Sequence, residues 1–148
     1  MARQIVAEPL AFGSAWPVLG IAAAASTLIA SRLGAKKPRG VWVICMLLLA
    51  LGVAAPLFIP GLAGILLSAV LVGATFVTIT LAGMQEARRI YGAAARPVMA
   101  AMTAAFAVGQ LIGPIAVALA QAMPHGFTIV LVAATAGLLV SAAALARS

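Results

Sequence analysis

The sequence has no aspartate, two glutamates (Glu8 and Glu86), one histidine and one cysteine among its 148 residues. Those shortages exclude most chemistry. No carboxylate pair exists for acid–base work, and no Ser–His–acid or Cys–His arrangement can be assembled. Cys45 cannot form an internal disulfide, and no second Cys or His stands at metal-ligand spacing from it. It lies in an apolar run and reads as a small buried hydrophobe. His125, with no ligand types beside it, reads as a solvated loop residue. The residues support no catalysis, metal or cofactor.

Charge is equally scarce, at 7% of residues against 66% hydrophobic, with a mean hydropathy of +1.24. A soluble domain carries about 25% charged residues to wet its surface. This chain cannot do so, and the solvent for most of it is lipid. The high pI of 11.6 does not point to nucleic acid, because the cations sit in short loops rather than on a basic face.

What remains is long apolar runs. A spanning helix needs about 20 predominantly apolar residues, and five segments qualify: 10–30, 41–59, 62–84, 98–120 and 128–146. Uninterrupted apolarity excludes barrel strands, which alternate. The expected fold is all-α, a five-span transmembrane bundle forming one domain over 1–148. Gly34, Pro38 and Gly40 punctuate the first connector, Pro60 and Gly61 the second, and Pro124 and Gly126 the last. Pro97 suits the first turn of the fourth helix. A cleaved signal peptide is disfavoured, since the first run continues to Ala30 and ends on a cationic loop.

The cations set the orientation. Arg32, Lys36, Lys37 and Arg39 follow the first span, Arg88, Arg89 and Arg96 follow the third, and Arg147 follows the fifth. Alternating spans put all eight on one side and leave only Arg3 on the other. The positive-inside rule then places the N-terminus outside and the C-terminus in the cytoplasm.

The spans differ in kind. The second and fifth are apolar nearly all round, as expected of helices at the rim. The first carries Gly20, Ala24, Thr27 and Ser31 as a stripe, and the fourth a ridge of Ala101, Ala105, Gly109 and Gly113. Such ridges let helices approach closely in lipid. Thr75 and Thr78 on the third span, and Thr103 and Gln110 on the fourth, are the candidates for lining a solute cavity. For the hydroxyls the default is a bond to the i−4 carbonyl. Gln110 is more constrained, because an unpartnered amide in hydrocarbon costs several kcal/mol. It is expected to face protein or a watery cavity, with Pro114 bending the helix one turn later. No span interior holds an ionisable group of the kind that proton relays and counter-ion sites use.

Two stretches together, Gly73-Ala-Thr-Phe-Val-Thr-Ile-Thr-Leu-Ala-Gly and Met102-Thr-Ala-Ala-Phe-Ala-Val-Gly-Gln-Leu-Ile-Gly-Pro, resemble the C-terminal third of a major facilitator superfamily transporter. The closest likeness is to the YbfB/YjiJ branch, with the five spans matching its spans eight to twelve. The run Thr27-Leu-Ile-Ala-Ser-Arg-Leu-Gly-Ala-Lys-Lys is similar to the family's G-x-L-A-D-R-x-G-R-R-K motif. Arg32, Gly34, Lys36 and Lys37 fit it, while Thr27 replaces the glycine and Ser31 the acid.

The resemblance implies a secondary transporter of the bacterial cytoplasmic membrane that moves a small organic solute. A full transporter rocks two six-helix halves around a central site, and five spans cannot do this in a single copy. Alone, the chain is expected to transport nothing and to leave the fourth-span ridge and the first-span stripe unpartnered. Its expected partners are lipid, solute and either the missing N-terminal half or a second copy. A dimerising half-transporter and a non-transporting scaffold are the competing readings.

The topology is tested by labelling a cysteine placed at Ala35 in a Cys45→Ser background. It should react with impermeant reagents only from the cytoplasmic side, and labelling from outside intact cells sinks the orientation.

Overall fold

A computed structural model describes residues 13–33 and 38–147. Among these residues it is an all-α bundle of five helices: α1 (Ala15–Leu33), α2 (Pro38–Phe58), α3 (Leu62–Tyr91), α4 (Ala95–Ala120) and α5 (Gly126–Arg147), with a short 3-10 turn at Gly92–Ala94. Pro38–Phe58, Gly126–Arg147 and the continuous helical run Leu62–Ala120 are long and apolar enough to cross a membrane, and Ala15–Leu28 is a shorter apolar helix. The start of the first expected span lies outside the described residues.

The run Leu62–Ala120 holds 59 residues, about 90 Å if straight and some three times the hydrocarbon thickness of about 30 Å. It does not run straight. Gly92, at φ 52°, adopts a conformation that costs glycine little and closes α3 with a bond from its N–H to the Arg88 carbonyl. α4 then returns along α3, so that the rings of Phe76 and Phe106 lie 5.5 Å apart. Gly61, at φ 81°, makes the corresponding reversal between α2 and α3.

α3 is the hub of the bundle. A Cβ on Gly73 would collide with the Leu19 carbonyl of α1, one on Gly52 of α2 would stand 2.8 Å from Leu71 Cβ, and one on Gly83 would press on Met102 and Trp42. Three neighbours therefore reach the α3 axis through missing side chains. Close backbone approach is what holds helices together where lipid removes the hydrophobic drive.

One expectation about faces changes. The apolar second helix is not at the rim: Cys45, Ala50, Gly52, Ala54 and Ala55 are buried, and it packs against both α3 and α5. Apolarity all round fits contact with protein on two sides as well as it fits lipid. On α1 the inward face is Leu19, Ala22, Ser26 and Ala30, while Gly20, Ala24 and Thr27 are exposed. Small residues line both faces of α1, and residue type alone does not choose between them. α5 is exposed along most of its length, with Gly126 and Ala142 buried.

Two single substitutions separate contact from composition. Gly73→Ala should destabilise the chain by about 1–3 kcal/mol, as overpacking does. Gly20→Ala meets nothing within 4 Å and should be neutral or slightly stabilising through helix propensity. Thermal unfolding in one detergent reads both, and equal melting temperatures for the two variants would contradict the packing.

Candidate functional site

Polar side chains inside the spans are few, so a solute surface has to be assembled from hydroxyls, one amide and the clefts between helices. Thr75 is 2% and Thr78 7% exposed. Thr75 donates to the Leu71 carbonyl at 2.7 Å and Thr78 to the Ala74 carbonyl at 3.4 Å. Both spend their proton within their own helix, as hydroxyls in membrane helices usually do. Thr78 lines a cleft of about 360 Å³ between α1, α2 and α3, together with Ala22, Ser26, Ala30 and Cys45.

A second cleft, of about 350 Å³, opens between α2, α3 and α4 and is lined by Trp42, Thr80, Met84, Met102, Thr103 and Phe106. Thr80 donates to the Phe76 carbonyl and Thr103 to the Met99 carbonyl, at 3.3 and 3.0 Å. With those protons engaged, the two oxygens offer the cleft acceptor lone pairs only. The walls are otherwise aromatic and thioether, with Ile79 the one aliphatic side chain. The sequence had singled out Thr103 alone here. Trp42, Met84 and Met102 meet across three helices, and no linear pattern marks them.

Gln110 sits differently. It is exposed, as are its neighbours on α4, whose buried residues are Ala95 and Ala120 at the two ends. A Cβ added at Gly109 or Gly113 meets nothing within 4 Å. Within this chain the amide therefore does not reach the interior expected for it, because α4 touches its neighbours only lightly. α4 continues through Pro114 without a break. The four cavity candidates do not converge: Thr75 and Thr78 are buried in the core, Thr103 lines the second cleft, and Gln110 lies on the outer surface of α4.

The charged residues do converge. The Arg39 Nε, at the start of α2, donates to the Leu145 carbonyl in the last turn of α5 at 3.1 Å. Glu86, 2% exposed, accepts two bonds from Arg89, at 2.8 and 2.6 Å. The Arg89 hydrogen bonds hold the Glu86 carboxyl below its usual range, and the charge of Arg39 adds to the effect. The beginning of α2 thus meets the end of α5, with the end of α3 near enough for Arg39 to act on Glu86, and the Gly92 turn keeps Arg96 beside Arg88. Arg88, Arg89 and Arg147 lie in the last turns of their helices, where cations favour the helix dipole.

Arg88 and Arg96 flank a concavity of about 550 Å³ with Gly92, Ala93, Ala95 and Met99. Lys36, Lys37 and the side chain of Arg32 lie outside the described residues. The sequence had placed Glu86 beyond the third span without giving it a role. The i,i+3 spacing of Glu86 and Arg89 was the available signal. The Gln85 Oε1 is buried with no partner among the described residues.

Compared with known proteins, residues 1–146 match a family model described as "Uncharacterised MFS-type transporter YbfB". No curated protein and no solved structure matches.

The Glu86 pair makes stability depend on pH with a defined sign. Its folded-state pKa lies below the unfolded value, so its contribution is fully present above the ordinary carboxylate range. It is lost as pH falls through that range towards the folded pKa. Glu86→Gln should lower the melting temperature at pH 7 and flatten the melting curve's pH dependence below about pH 5. An unchanged acid slope in the variant would assign that slope to other groups.

Proposed function

The chain belongs to the YbfB family of MFS-type transporters, and from that premise we propose that its five helices are spans eight to twelve of a secondary transporter for a small organic solute. A further set of helices completes the pathway by packing on α4 and α1. The observation that carries this reading is α4 itself. An apolar helix with an amide at Gln110 and a small-residue ridge at Ala101, Ala105, Gly109 and Gly113 is exposed along its length. Lipid gives the amide no partner, and hydrocarbon-buried polar groups are satisfied by neighbouring protein or by water. Gly20 and Ala24 leave a second small-residue face open on α1.

The clefts suit this role in one further respect: among the described residues, no charged one lines the cleft at Thr78 or the cleft at Thr103. Selection by this body rests on shape, aromatic contact and hydroxyl acceptors. The gathering of Arg39, Arg88, Arg89, Arg96 and Arg147 at one end supports a multi-pass arrangement in the bacterial cytoplasmic membrane, with that end facing the cytoplasm. Gln110 then serves the interface between the two bodies or contacts solute, and the chain alone carries nothing across.

Co-expression with the seven N-terminal spans of a YbfB-type transporter tests the proposal. The two pieces should co-purify. Gly109→Leu with Gly113→Leu should abolish this by filling the ridge, whereas Thr135→Leu on α5 should not. A ridge variant that co-purifies as well as the parent removes α4 from the interface. Oxidative crosslinking of Gly109→Cys to a second copy, in a Cys45→Ser background, would transfer the reading to a dimer.

A further inference from the structure

We propose that the concavity between Arg88 and Arg96 is a binding site for the phosphate of an anionic phospholipid. This inference rests on the chain's place in a bilayer and not on what it transports.

The arginines at the cationic end divide into two groups. Arg89 is committed to Glu86 and Arg39 donates to the Leu145 carbonyl. Arg88 and Arg96 have no ion pair or side-chain hydrogen bond among the described residues, yet they face the same hollow of about 550 Å³. Two guanidinium groups on one concavity leave concentrated positive charge that no ion pair among the described residues offsets. Guanidinium forks match phosphate oxygens in pairs.

Depth identifies the source of the phosphate. α3 has 30 residues and is about 45 Å long, some 15 Å more than the hydrocarbon core. About 10 Å of it, residues 85–91, lies beyond Met84, where the apolar run ends, so Arg88 and the Gly92 turn stand at headgroup level. Ala93, Ala95 and Met99 supply the apolar part of the lining, suited to the glycerol end of a lipid rather than to a fully hydrated ion. Basic pockets at the cytoplasmic ends of membrane helices take anionic headgroups for these reasons.

The test is native mass spectrometry of the full chain exchanged with equal amounts of phosphatidylglycerol and phosphatidylcholine of the same acyl composition. Phosphatidylglycerol should be retained in preference. Arg88→Gln and Arg96→Gln should each weaken its retention roughly fivefold, and the pair about thirtyfold. Arg147→Gln, at the same end but outside the concavity, should change nothing. Arg88→Lys with Arg96→Lys keeps the charge without the forks and should fall between the parent and the glutamine pair.

Equal retention of the two lipids, or a loss in Arg147→Gln as large as in the glutamine pair, would overturn the site in favour of diffuse attraction. Full displacement of phosphatidylglycerol by millimolar inorganic phosphate would assign the hollow to a soluble anion instead.

Discussion

Lipid tails are as apolar as leucine, so burying side chains gains these helices little, and contact distance decides which of them associate. In this bundle contact distance is set on α3. Gly73 admits the α1 backbone, Gly83 admits Met102 and Trp42, and Gly52 brings α2 onto Leu71 and Val72. The buried apolar residues are alanines and one cysteine, which is a core made of backbone proximity rather than of interlocking large side chains. Large apolar residues such as Leu28, Leu51, Leu111 and Leu119 point outward, where a soluble protein would not leave them and a bilayer covers them.

The same solvent governs where charge can stand. Every described cation is at one end, and the buried carboxylate there is held by two hydrogen bonds from Arg89. A carboxylate at that depth is tolerated only when paired. That pair lies within α3, while Arg39 ties the start of α2 to the end of α5. The polar end is thus cross-connected, whereas Thr75, Thr78, Thr80, Thr103 and Thr135 bond carbonyls of their own helices and connect nothing.

The elements and their alternation were legible in the sequence because twenty-residue apolar runs and flanking cations are direct consequences of a slab-shaped solvent. The default bonding of Thr75, Thr78 and Thr103 was legible for the same reason. The packing faces were not. In a chain with fourteen glycines, small residues at helical spacing occur on several faces, and Gly109 and Gly113 match a packing ridge as well as Gly73 and Gly83 do. α3 was expected to stop near Met84, because Arg88 and Arg89 read as loop. They extend the helix by two turns instead, since a helix leaving the hydrocarbon has no reason to end there. The cleft around Trp42 was illegible because its lining comes from three helices.

The bond from Arg39 to Leu145 joins residues 106 positions apart. At a synthesis rate of about 5–20 residues per second, the guanidinium emerges roughly 5–20 s before its acceptor. Glu86 and the glycines of α3 are synthesised within that interval. The first three helices therefore have time to associate in the membrane while the seam between α2 and α5 is still open. The order of emergence makes that seam the last joint in the bundle to close, and a delay in synthesis beyond α3 prolongs the life of a three-helix intermediate with Arg39 unclaimed by α5.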